Sequence, residues 1–111
     1  GPDHPQTLTS RNNLAYAWES AGDLGRAIPL YEQTLEDSER VLGPDHPQTL
    51  TSRNNLAYAW WQHGRYADAF RTFEEAAATA LRLFGPDHEV TRQLVENRDA
   101  ASRMIAEHGD S

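Results

Sequence analysis

Cysteine is absent from the 111 residues, and so is lysine; all ten basic residues are Arg. Without thiols the chain has no disulfide, no thiolate nucleophile and no zinc–thiolate site, and a reducing, cytoplasmic setting fits. Without lysine no GxxxxGK[ST] loop can be written, so a phosphate cradle for nucleotides is excluded. Positive charge is scarce overall: the net charge is −7 and the pI near 5.1. That argues against nucleic acid, whose phosphates call for a basic footprint, and against an anionic membrane surface. No apolar run approaches the roughly 18 residues of a membrane span, and no signal peptide is visible. The missing lysine and abundant alanine suggest a GC-rich bacterial genome.

What is present is repetition. The stretch Gly1–Trp18, GPDHPQTLTSRNNLAYAW, recurs letter for letter as Gly43–Trp60, and GPDH opens a third time at Gly85, each start 42 residues after the last. Beyond Trp18 the copies diverge while keeping character. Gly22 pairs with Gly64, Ala27 with Ala69, Ile28 with Phe70, Tyr31 with Phe73 and Leu42 with Phe84. Apolar positions stay apolar while the rest drifts, as expected of hairpins that must pack on each other. Only 38% of residues are apolar, too few for one spherical core but enough for a solenoid in which each unit covers its neighbour.

Three units follow from this period: residues 1–42, 43–84 and a half unit, 85–111. Five helices are predicted, over about 5–21, 24–41, 47–63, 66–84 and 89–108. Pro5 suits a first helical turn, with Asp3 and His4 placed to cap it. Leu8, Leu14, Ala15 and Trp18 make an apolar stripe at helical spacing, which places Trp18 and Trp60 in the core. Gly22 ends the first helix and Asp23 can cap the second. Pro29 falls inside that second helix and predicts a local bend or a late start; Arg71 replaces it in the next unit. The last helix has an apolar stripe, Val90, Leu94, Val95, Ala101, Met104 and Ile105, and a charged back, as a solenoid end requires.

NNLAYAW followed by Gly22, Ala27 and Tyr31, and again by Gly64, Ala69 and Phe73, resembles the tetratricopeptide repeat family. The 42-residue spacing and GPDHP linkers resemble its kinesin-light-chain subgroup and the sensor arms of bacterial NB-ARC-type signalling ATPases. The resemblance implies an all-α, right-handed α-solenoid of antiparallel helix hairpins, two units plus a capping helix. The sequence departs from the family at Arg11 and Arg53, where many members carry an aromatic, and at Arg98, which replaces the Leu of NNLA. The chain opens inside a linker motif and stops after half a repeat, so it is expected to be an excerpt, natural or engineered, of a longer array.

The same resemblance implies a groove lined by the first helices. Its positions map onto Asn13, Tyr16, Glu19 and Ser20; onto Asn55, Tyr58, Trp61 and Gln62; and onto Asn97, Ala100, Arg103 and Met104. Helical geometry puts residues spaced by three and seven on one face, as for Asn13, Tyr16 and Ser20. An asparagine carries a donor and an acceptor, so the Asn13, Asn55 and Asn97 ladder can hold the backbone of an extended peptide of any sequence. The alternative is that these amides bond across helices or face water. Trp61 is either an exposed anchor or a packing residue; Asn12 and Asn54 are assigned to solvent or linker contacts.

Other constellations carry no chemistry. His4, His46 and His88 recur once per unit, too far apart to share one zinc, and are assigned to capping the linkers. His63 and His108 sit near helix C-termini, where partial positive charge suits the dipole. Glu74–Glu75 and Glu36–Asp37 point about 100° apart on a helix, so neither pair faces one substrate. No residue set reads as nucleophile and base. The expected function is a non-enzymatic scaffold for a neutral or basic protein or extended peptide, without cofactor or metal. The alternatives are a spacer that self-associates through solenoid ends, or the arm of a larger signalling ATPase.

Overall fold

The computed structural model describes the backbone of residues 5–108 and the side chains of residues 7–107. The proposed caps Asp3 and His4, and the side chains of Pro5 and His108, lie outside them. Among the described residues five helices follow in order: α1 (Pro5–Ser20), α2 (Leu24–Leu42), α3 (Pro47–Gln62), α4 (Tyr66–Phe84) and α5 (Glu89–His108). No strand occurs among the described residues. Each helix packs on the next, and α3 also touches α5. The result is a slab of 44 × 34 × 18 Å, as thick as two helical layers spaced 8–10 Å apart. It is an all-α solenoid of antiparallel hairpins.

The hairpin turns are set by backbone chemistry. Gly22 and Gly64 take φ of 84° and 91°, a region closed to most side chains. There the chain closes each helix with paired bonds: Asp23 N–H donates to the Trp18 carbonyl at 2.8 Å and Gly22 N–H to that of Glu19 at 2.9 Å. Arg65 and Gly64 repeat this onto Trp60 and Trp61 at 2.8 and 3.0 Å. At the linkers, His46 Nδ1 accepts from the Gln48 N–H at 3.0 Å and His88 Nδ1 from that of Val90 at 3.1 Å. Both histidines are therefore helix caps, as their once-per-unit recurrence suggested. Asp23 accepts from Arg26 N–H at 3.1 Å and caps α2.

Pro29 does not delay α2, which starts at Leu24. The residue is exposed, and so is Gly25, whose carbonyl loses the Pro29 donor and can turn to water.

Two buried clusters follow one another along the slab. In the first, Ala15 of α1, Ala27 and Tyr31 of α2, and Leu56 and Ala59 of α3 meet, with Trp18, Ile28, Leu35 and Trp60 packed around them. In the second, Leu50 and Ala57 of α3 meet Phe73, Ala76, Ala77 and Ala80 of α4 and Leu94 and Ala101 of α5. The run of alanines on α4 lets α3 and α5 both approach it closely. Trp18 and Trp60 line the core without being sealed in it. Each has an arginine over its ring, Arg26 at 4.6 Å and Arg65 at 4.9 Å.

Leu14 corrects the predicted stripe. It is 50% exposed while its twin Leu56 is 3% exposed. Leu8, Ala15 and Trp18 face α2; Leu14, one residue from Ala15 and so about 100° around the helix, points to a side where α1 meets no other helix among the described residues.

Candidate functional site

The shared face of α1, α3 and α5 is drawn together by amides. Asn97 Nδ2 donates to Asn54 Oδ1 at 2.7 Å, joining α5 to α3. Asn12 Nδ2 donates to Ser52 Oγ at 3.4 Å, joining α1 to α3. Gln48 Nε2 adds a bond to Thr9 Oγ1 at 3.3 Å. Asn12 and Asn54 thus tie helices together, and their assignment to solvent or linker contacts does not hold. Either of two adjacent asparagines can reach across, and the sequence does not tell which.

Between α3 and α5 this face opens a cavity of about 360 Å³ lined by Asn54, Asn55, Tyr58, Gln93 and Asn97. A second, of about 160 Å³, adjoins it around Thr51, Asn54, Glu89, Val90, Gln93 and Leu94. Three of the expected groove residues, Asn55, Tyr58 and Asn97, therefore converge on one cleft. Gln93 lines it too and escaped sequence reasoning, because no repeated motif marks it. Its distance from Asn97, one turn along α5, was the available signal. Tyr58 is 38% exposed, and its ring lies 5.5 Å from that of Trp61.

The remaining expected residues divide. Asn13, Tyr16 and Ser20 are exposed on α1, Tyr16 at 64%. Gln62 and Arg103 are also exposed, and Ala100 and Met104 half-buried. Trp61 packs against the second cluster, so it is a packing residue rather than a free anchor. Glu19 turns towards α2, where Tyr31 Oη donates to its Oε1 at 2.8 Å. Burial raises the Glu19 carboxyl above its ordinary range, partly offset by that bond, and burial with the nearby carboxylate pushes Tyr31 upward as well. Glu19 belongs to the hairpin interior. The repeat itself hints at this, since Trp61 and Phe73 stand where Glu19 and Tyr31 do.

The two arginines that depart from the family pattern both grip α2. Arg11 pairs with Asp37, which also holds Arg40 at 2.9 Å and Gln33 at 3.3 Å. The Arg11 guanidinium holds the Asp37 carboxyl below the usual carboxylate range against the cost of burial. Arg53 cannot copy this, because Thr79 stands at the Asp37 position, and it reaches instead to Glu39 of the preceding hairpin at 2.9 Å. Arg98, in place of leucine, is half-buried and pairs with Asp99 at 3.0 Å, and α5 packs on α4 regardless. No group of three or more His, Asp or Glu that could hold a metal occurs among the described residues. No helix among them is long and apolar enough to cross a membrane.

An array of helical hairpins with a repeating first helix and a polar shared face defines a helical-repeat protein. A tetratricopeptide repeat model matches residues 19–82, more than half of the chain, and the chain belongs to the tetratricopeptide repeat family. Among solved structures, it is similar to the nearly identical TPR-like repeats of a Podosopora anserina protein described as a kinesin light chain. One crystal structure, a point variant, superposes with a TM-score of 0.83 at 24% identity, covering 96% of this chain and 50% of that one. Another gives 0.74 at 22% identity, covering 96% and 59%. The chain thus spans half of the one and about three fifths of the other, and the likeness is one of fold. No protein of curated function matches the chain in sequence.

Proposed function

We propose that the chain is a non-catalytic scaffold that binds an extended peptide segment of a partner protein along the face shared by α1, α3 and α5. Repeats of this family serve as protein-interaction scaffolds. The observation that carries the groove is the α3–α5 cleft, where Asn55, Gln93 and Tyr58 offer amide and phenol groups that bond to nothing else among the described residues. Neutral donors and acceptors suit a peptide backbone, and the net charge of −7 favours a neutral or basic partner over an acidic one. Asn13 and Tyr16 extend the same ladder on α1. The net acidity favours a protein partner over nucleic acid or lipid, and the lack of thiols fits a reducing, cytoplasmic setting.

The experiment is selection of binding decapeptides from a displayed library, followed by fluorescence titration. Asn55→Ala and Tyr58→Ala should each weaken a selected peptide at least about tenfold, the loss of one buried, well-paired group. Unchanged affinity in the double variant Asn13→Ala, Asn55→Ala would refute the groove.

A further inference from the structure

The seams between successive first helices are written by the same repeat, yet they are built differently. Between α1 and α3 two side-chain bonds stitch the seam: Gln48 Nε2 donates to Thr9 Oγ1 at 3.3 Å, and Asn12 Nδ2 to Ser52 Oγ at 3.4 Å. Forty-two residues on, Val90 stands for Gln48 and Leu94 for Ser52. Neither bond can be repeated. Valine has no polar atom to reach Thr51, and leucine offers no oxygen to Asn54, which turns to Asn97 at 2.7 Å instead. Between α3 and α5 the hollow of about 160 Å³ opens at this place. Buried Leu94 and half-buried Val90 form its floor, and exposed Thr51 and Gln93 stand at its rim.

A third change falls on the same spot. Glu89 occupies the position at which Pro5 and Pro47 open the other two first helices. It lines the hollow, is exposed, and forms no ion pair among the described residues. An acid in a first turn suits the dipole of any helix; here it also supplies the one charge among the residues lining the hollow. Sites for whole small molecules run to roughly 300–1,000 Å³, so this one has room for a single side chain. The matching side chain has an apolar stem for Val90 and Leu94 and a positive tip for Glu89. An acidic side chain would meet Glu89 as a like charge, and a purely aliphatic one would gain nothing from it.

We propose that this hollow is a subsite for one lysine or arginine of a bound peptide, its methylenes on Val90 and Leu94 and its cation beside the Glu89 carboxylate. The inference rests on the peptide-groove reading and goes beyond it. The groove's amides are indifferent to sequence, whereas this subsite fixes where a basic residue falls. Asn54 and Gln93 line both the hollow and the cleft of Asn55, Tyr58 and Asn97, so a peptide held in the cleft passes the mouth of the hollow.

The probes are decapeptides selected on the native chain, among which a basic residue should recur at one position. Replacing it by norleucine, or by citrulline where it is arginine, keeps the stem and removes the charge. Affinity should then fall about threefold, the weight of a partly exposed ion pair. In Glu89→Gln the charged and uncharged peptides should bind alike. Glu96→Gln removes the same charge from an exposed position of α5 outside the hollow and should keep the preference. Val90→Gln offers Thr51 the bond that Gln48 makes to Thr9; it should close the hollow and abolish the preference with Glu89 still in place. Binding peptides that share no basic residue, or a preference that survives Glu89→Gln, overturn the subsite and leave the groove standing. A preference lost equally in Glu96→Gln would show that net acidity alone is being read, and overturns it too. If no decapeptide binds, groove and subsite fall together.

Discussion

The helices α1 and α3 share a fourteen-residue core of identical sequence, Pro5–Trp18 and Pro47–Trp60, and yet they are not equivalent. Leu14 stands half in solvent and Leu56 is sealed; Tyr16 is more open than Tyr58; Arg11 bonds to its own hairpin and Arg53 to the one before. A side chain's energetic weight in this molecule is therefore assigned by its place in the stack, and the same letter carries different consequences 42 residues later. The two turns that follow teach the converse. Asp23 and Arg26 in the first hairpin become Arg65 and Asp68 in the second, so the ion pair reverses its order, at 3.4 and 2.9 Å. In both hairpins the arginine still covers the preceding tryptophan, a contact kept while its donor changes position.

The largest contrast should come from the twin leucines. Leu56→Ala removes a buried side chain and should cost about 3 kcal/mol, whereas Leu14→Ala should cost less than about 1 kcal/mol. Paired urea melts measure the difference, and near-equal losses would break the comparison. Next comes the twin arginine. Arg11→Ala leaves the Asp37 carboxylate buried with only Arg40 and Gln33, and should cost about 2 kcal/mol. Arg53→Ala releases Glu39 into solvent and should cost under about 1 kcal/mol. Chemical denaturation of both variants tests the order.

A third contrast sets the Glu19–Tyr31 pair against Trp61–Phe73. Tyr31→Phe strands a half-buried carboxyl and should lose about 1–2 kcal/mol. Adding Glu19→Leu should recover most of it, since the second hairpin shows that an apolar pair is accepted there; no recovery would mean that Tyr31 acts by some other contact.

The smallest effect is on pH dependence. The folded chain holds Asp37 below its ordinary 3.8, so the unfolded chain takes up the proton first as the solution is acidified. Its contribution is full above that value and is lost as pH falls through the folded one. Glu19, raised above 4.5 by burial, has the opposite sign: its contribution is present at low pH and fades as pH rises through its folded value. Asp37→Asn should therefore flatten the acid limb of a stability–pH curve below about pH 4, and an unchanged limb would show that Asp37 is not its source.

The hairpins, their turns and most of the core were legible because the period of 42 fixes which positions must stay apolar, small or glycine. Ala27 with Ala69 and Tyr31 with Phe73 are enough to place the inner face of the second helices. What the period hides is direction. Leu14 and Ala15 both looked apolar and inward, but among the described residues α3 packs on helices on both sides while α1 packs mainly on α2, so only Leu56 of the twin leucines is covered. The candidate groove was legible in part for a related reason. Asn55, Tyr58 and Asn97 do gather in one cleft, while Glu19 is claimed by Tyr31 and Trp61 by the core, competitions between neighbours that a helical wheel does not contain. Pro29 looked disruptive because propensity treats every interior position alike; at an exposed position of the second turn the lost bond falls where water can replace it.

The glycines that end α1 and α3 have one more consequence. At Gly22 and Gly64 the backbone dihedral is positive and no atom lies within 4 Å of where a side-chain carbon would stand. That combination strains most ordinary amino acids and is hospitable to a mirror-image one. A D-alanine placed at either joint by chemical synthesis would fit the native backbone while narrowing the unfolded chain's choices, a gain of about 0.4–1 kcal/mol for each joint so treated.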